Sequence, residues 1–371
     1  MRLAAFALTA KAYELAKTFQ RSLDNPMTVY VSAKVAPPTV AAETGAGIKT
    51  FAKLEEAVAE TFTAYDGLVF IMAAGIVVRT IAPLLQDKLQ DPAVVVFDER
   101  GQHGISLLSG HIGGANVLTQ QLCQAVGASP VITTATDVNQ CQAPDALAAK
   151  LCLRPWPKVR IRTLNSAVLE GQEVCWRIDK TLPHSVFYKR QLEQAGQTAE
   201  LCVTSQCLQF CAEEKDRTWA VILSEPNLPA LPELPQNVLC LTPRRLIAGV
   251  GCRRGTPAAL VMGALDMACR MIGRDRSFID ALASTVVKRH EAGILFAADS
   301  LARPVHFYDH AQLQAMIARY QLEESDFVKE NIGIGNVCEA AAYCCVGEAG
   351  GRLALRKTKF EKVTVALVWE K

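Results

Sequence analysis

A histidine set among glycines is the first group in this chain whose surroundings suit chemistry. Residues 107–116 read Leu-Leu-Ser-Gly-His-Ile-Gly-Gly-Ala-Asn, which places Gly110, Gly113 and Gly114 around His111 and ends on Asn116. Glycines let a backbone turn sharply and approach a ligand closely. The helical pattern that follows would present unpaired N–H groups at its positive end, a seat for a carboxylate. An imidazole there can take a proton from water near neutral pH. The same residues also suit a plain loop, with His111 hydrogen-bonded and Asn116 fixing the turn.

A second glycine turn spans residues 247–256, Ile-Ala-Gly-Val-Gly-Cys-Arg-Arg-Gly-Thr. Gly251 and Gly255 bracket Arg253 and Arg254 just before a helical run. Guanidinium groups grip carboxylates with two bonds, so this turn is a candidate anion site. Its glycines do not fit the dinucleotide spacing, and no acidic residue stands where a ribose partner belongs. The third stretch is Lys288-Arg-His-Glu291 at a strand-to-helix junction. Glu291 could serve as a general base and Lys288 as a cation for a developing oxyanion. Glu291 equally fits a first-turn acid that favours the helix dipole.

Asp98 and Glu99 follow one strand-like run, and Thr133, Thr134, Thr136 and Asp137 follow another. Asp87, Lys88 and Asp91 precede Pro92. Asp98, Thr134 and Asp137 are candidate binding groups, although Asp and Thr at such places more often shape turns. Asn336 with Glu339 resembles a helix-capping pair. No nucleophile elbow, phosphate-binding P-loop or His-Glu-x-x-His zinc motif is present, which disfavours serine hydrolases, kinases and zinc hydrolases.

These residues must be positioned by alternating elements. Strands are expected over 68–73, 94–98 and 131–134 and helices over 77–85 and 116–126, an α/β arrangement with a largely parallel sheet for residues 1–136. Residues 36–47 are a Pro-, Thr- and Gly-rich loop. Residues 137–237 form a smaller α+β section with a helix over 143–151, ending in a Pro-rich linker. Residues 238–371 repeat the α/β scheme, with Thr256 and Pro257 opening a helix and two strands closing the chain. The fold class is therefore multi-domain α/β.

At 371 residues, half of them apolar, the chain can bury a core in each section. Its net charge of +2 gives no electrostatic case for nucleic acid or an anionic membrane. The apolar run over 69–78 is too short to span a bilayer, and residues 3–8 read as a first strand rather than a signal segment. An odd set of 13 cysteines in a chain of this length reads as reduced core thiols in a cytoplasmic protein. Cys202, Cys207 and Cys211 lack the spacing of common zinc or iron–sulfur sites, so no protein-bound metal is expected.

Together these stretches resemble the cobalt-precorrin-5A hydrolases of anaerobic cobalamin biosynthesis. The likeness lies in residues 74–83 (Ala-Gly-Ile-Val-Val-Arg-Thr-Ile-Ala-Pro), 87–98, 105–116 and 131–137. It continues in residues 249–255, Lys288, Glu291, residues 333–342, Lys357 and residues 363–366, in the family's order. Arg289 and His290 depart from the smaller or acidic residues expected between Lys288 and Glu291. The resemblance implies a ring-contracted cobalt macrocycle as substrate, whose δ-lactone is opened by water with release of acetaldehyde. Cobalt would come with the substrate, so no cofactor is implied. His111 or Glu291 would act as base. Lys288, Arg253 or backbone N–H groups would face the oxyanion. Transient contact with other pathway enzymes is also implied. Two rival readings remain. An enzyme using S-adenosylmethionine or NAD would bind that nucleotide. A corrinoid carrier would bind the macrocycle without turnover.

Overall fold

Leu3–Ala7 is apolar throughout and fully buried as β1. A strand buried on both faces needs a partner at each edge and a packed layer on each side. The computed structural model describes residues 1–23, 27–36, 47–87, 90–139, 141–214, 216–230 and 233–371. In it, β1 lies between β2 (Met27–Ser32) and β4 (Gly67–Ile71), parallel to both. β3 (Ile48–Phe51) extends one side and β5 (Ala93–Phe97) the other. β6 (His103–Leu108) then runs antiparallel to β5, with β7 (Ser129–Val131) at the edge. The period-2 pleat divides the core. Leu3, Ala5 and Ala7 join Phe19 and Leu118 on one face, and Ala4 and Phe6 join Val58 and Phe70 on the other. Thr9 caps the following helix, Ala10–Ser22, accepting from Ala12 N at 3.1 Å.

The middle section is α/β, which corrects the expected α+β character. β8 (Leu153–Trp156), β9 (Val174–Asp179), β10 (Ala199–Cys202), β11 (Thr218–Ile222) and β12 (Val238–Pro243) stand in the order β10-β9-β11-β12-β8. Only β8 runs antiparallel in this sheet. The strands are short and β9 carries Arg177 and Asp179, so they lack the long apolar runs that mark parallel strands. Val238–Pro243, placed above at the start of the third section, hydrogen-bonds within this middle sheet.

The third sheet holds β13 (Leu246–Cys252), β14 (Ile279–Thr285) and β15 (Val305–Tyr308) in parallel, closed by the antiparallel pair β16 (Gly351–Lys359) and β17 (Val363–Glu370). The helix Cys338–Val346 presses so tightly on β13 that a Cβ at Gly249 would lie 1.8 Å from the Cys338 carbonyl oxygen. Arg2 ties the first section to the third. It donates to the carbonyls of Ala64, at 2.9 Å, and of Tyr320.

Cys202, at the end of β10, is disulfide-bonded to Cys207 in the next helix, across a Cα separation of 5.7 Å. That corrects the reading of all the cysteines as thiols: folding brings this pair within bridging reach. Most of the proline-rich stretch 36–47 and Lys88 lie outside the described residues. Among the described residues, no helix is long and apolar enough to cross a membrane.

Candidate active site

The glycine loop after β6 folds back on the helix it introduces, Ala115–Val126. The amides of Gly114, Ala115 and Asn116 donate to the carbonyls of His111, Ser109 and Gly110, each at 3.1 Å. These amides are therefore spent inside the loop, and the expected carboxylate seat at this helix end is filled by the chain's own carbonyls. The glycines serve the packing. A Cβ at Gly110 would sit 2.7 Å from Asn116, and one at Gly113 would sit 2.4 Å from Ser109. Gly114 has φ of 87°, which favours glycine.

This fold aims His111 between two carboxylates. Its Nδ1 lies 3.1 Å from Asp145 Oδ1, and its Nε2 lies 2.7 Å from Asp137 Oδ2 and 3.2 Å from Thr136 Oγ1. Asn116 donates to the same Asp137 oxygen at 2.9 Å and to Thr134 at 3.1 Å, while Ser106 donates to Asn116 at 2.6 Å. The ring is 11% exposed and Asp145 6%. Burial opposes the imidazolium, but hydrogen bonds and charge from Asp145 and then Asp137 outweigh it and raise the His111 pKa. Asp137 and Asp145 sit at opposite ring nitrogens and do not converge on one point. No metal-holding group of His, Cys, Asp and Glu is found among the described residues. His111, Thr136 and Asp145 line a cavity of about 330 Å³ with Gly110, Asn165 and Leu169. Arg352 of β16 supports the loop from the third section, 3.3 Å from the Ile112 carbonyl and 3.4 Å from that of Gly113.

The second glycine turn makes a separate cluster. Glu291 accepts from Gly255 N at 3.0 Å and from Lys288 Nζ at 3.1 Å. Burial pushes its pKa up, but the Gly255 amide and Lys288 prevail, with help from Arg254, and it lies below the usual carboxylate range. The amide expected to receive a ligand anion is thus bound by the protein's own carboxylate. A Cβ at Gly251 would lie 2.7 Å from Thr364 Oγ1. Arg253 and Arg254 are exposed. The helix begins at Ala258 rather than Pro257, and Thr256 donates to Arg253 O at 2.7 Å. None of these residues borders the His111 cavity, so Lys288 and Glu291 do not join His111 in one site.

Asp98 is a turn residue rather than a wall of the His111 cavity. It accepts from the amides of Arg100, Gln102 and His103, which hold its pKa down against burial. Asp91 likewise accepts from Gln86 N, and Asp87 pairs with Lys158 at 3.0 Å. Asp145 and Arg352 were not foreseen. Asp145 follows Pro144 in a first helical turn, where an acid is ordinarily explained by the helix dipole.

Two family models match the chain: cobalamin synthesis G N-terminal over residues 56–137 and cobalamin synthesis G C-terminus over residues 246–368. A cobalt-precorrin-5A hydrolase of Salmonella typhimurium is 35% identical over 98% of this chain and 97% of its own length. This chain belongs to the cobalt-precorrin-5A hydrolase family. Another member, from Priestia megaterium, is 30% identical over 83% of this chain and 80% of its own. The crystal structure of a cobalamin biosynthesis protein G homolog from Sulfolobus solfataricus matches with a TM-score of 0.56. It covers 100% of this chain and 97% of its own at 18% identity, which bears on the fold alone. Within this hydrolase family, the N-terminal model spans His111, Asn116 and Asp137, and the C-terminal one spans Lys288, Glu291 and Arg352. Asp145 lies outside both.

Proposed function

We propose that this chain hydrolyses cobalt-precorrin-5A, opening its δ-lactone at His111. The observation that carries the site is an imidazole held between two carboxylates on a cavity wall, 3.1 Å from one and 2.7 Å from the other. Both ring nitrogens face acceptors, which favours the doubly protonated ring and makes His111 an acid rather than the base the sequence suggested. Asp145, beside it in the cavity, takes a proton from the attacking water. The water oxygen bonds to the lactone carbonyl carbon. The carbon–oxygen bond of the lactone then breaks, and its departing oxygen takes the Nδ1 proton of His111. The 3.1 Å contact lets the proton on Asp145 return to the ring. Asp137 and Asn116 hold the ring in place.

The products of that step are a free carboxylate and an alcohol. The alcohol gives its proton to water and becomes a carbonyl as the carbon–carbon bond to the macrocycle breaks. Acetaldehyde leaves, and the electron pair stays with the macrocycle. Water is the co-substrate, cobalt belongs to the substrate, and no resident cofactor is needed. We place the reaction in the cytoplasm, in transient contact with other cobalamin-pathway enzymes.

The test is anaerobic incubation of the protein with cobalt-precorrin-5A, trapping acetaldehyde and following the macrocycle by mass. Acetaldehyde with loss of the lactone is the expected result. Tight binding without turnover would instead make the chain a carrier, and no binding would refute the assignment of substrate.

A further inference from the structure

The His111 cavity, at about 330 Å³, is near the lower end for small-molecule sites and takes one substituent of a macrocycle rather than its body. A much larger cleft, about 1250 Å³, opens between the first and third sections. We infer that this cleft is the seat of the macrocycle and that Arg356, Lys357 and Lys359 hold its rim carboxylates, an inference that rests on the function proposed above.

β16 forms one wall. Its pairing with β17 shifts register between Leu353 and Leu355 and again between Leu355 and Thr358. Such irregularities break the strict in-and-out alternation of a strand and re-aim side chains. Residues 353–359 consequently all border the cleft, the three cations among them. Arg356 and Lys359 are exposed and form no ion pair among the described residues. Among the described residues, Lys357 Nζ donates to a neutral carbonyl, Gly335 O, at 3.1 Å.

The opposing carboxylates are largely occupied by the protein. Glu339 accepts from Lys357 N at 2.7 Å and from Asn336 at 2.7 Å. Glu324 accepts from Gly335 N at 3.1 Å and pairs with Lys329 at 3.3 Å. Glu323 is exposed at the rim. Asn336 and Lys357, family-signature residues with no part in the His111 cluster, thereby acquire a role as floor and clamp of this cleft. One residue of the cleft wall packs beside the His111 loop. Met1 lies in that wall, and a Cβ at Gly114 would be 3.7 Å from that methionine.

The test uses the full chain and two probes: a cobalt corrin with free acetate and propionate arms, and the same corrin with those arms esterified. Binding is read by equilibrium titration at two salt concentrations. Wild type should bind the acid, more weakly as salt rises, and discriminate against the ester. The Arg356→Ala/Lys359→Ala variant should lose roughly tenfold or more in affinity for the acid and show a flatter salt dependence. Both side chains are exposed, so thermal unfolding should stay at the wild-type value, and a charge-reversal Lys359→Glu variant should weaken binding again. Unchanged affinity in these variants, or no preference for the acid, would overturn the inference. Acetaldehyde release by wild type in that case would leave the hydrolase reading standing.

Discussion

Replacing Asp145 with Asn isolates the carboxylate that sets the charge of His111. The substitution keeps the shape of a side chain that is 6% exposed and removes a charged acceptor 3.1 Å from Nδ1. A hydrogen bond to a charged group contributes about 1.5–3 kcal/mol, so the imidazolium loses that much support while Asp137 remains on the other nitrogen. Two results follow. The rate of acetaldehyde release should fall by about 10²–10⁴-fold, the range for loss of an acid–base group. In wild type the rate should also decline as pH rises through the raised His111 pKa, because the acid form is consumed. In Asp145→Asn that decline should begin at lower pH. Stability follows the same sign. A group whose folded pKa is raised stabilises the fold below its unfolded pKa, and that contribution disappears as pH rises through the folded value. The wild-type melting temperature should therefore fall over that window more than the variant's. A variant within about tenfold of wild type, with its pH profile unmoved, would refute the assignment of Asp145.

Removal of the imidazole, as in His111→Asn, should cost about 10²–10⁴ in kcat with the macrocycle still bound, read by single-turnover assay and titration. Glu291→Gln should weaken the Lys288 and Gly255 bonds, cost about 1.5–3 kcal/mol in denaturant unfolding and leave turnover near wild type. Because the Glu291 pKa is depressed, its contribution is present above the ordinary carboxylate pKa and fades as pH falls through the lower folded value, so acid titration should unfold wild type and Glu291→Gln more alike. Gly249→Ala should cost at least about 3 kcal/mol or prevent folding, since its Cβ would overlap the Cys338 carbonyl, which thermal unfolding would detect.

The parallel strands β1, β4 and β5 were legible because burial on both faces leaves an unbroken apolar run. The His111 loop was legible through its glycines, and Asp137 through its place after a strand-like run. β6 was not. Its residues do not alternate, and Gly104 is there because a Cβ would meet Cys123 and Phe97 at 2.5 Å, a demand only the packed sheet reveals. Asp145 stands 34 residues from His111 and resembles an ordinary first-turn acid. The second glycine turn was misread for a related reason. An open anion seat and one filled by Glu291 present the same glycines and arginines, and only the three-dimensional approach of residues 36 apart tells them apart.

The histidine belongs to one structural unit and its buried carboxylate to the next, while an arginine from the last unit steadies the loop between them. The reactive group is therefore a composite that no isolated section contains. Its protonation state doubles as a gauge of assembly: the His111 ring resonances, followed by NMR, would report docking of the sections before any substrate is added. Drift in the middle section, where sequence signature is sparse, would be constrained where Asp145 meets the ring.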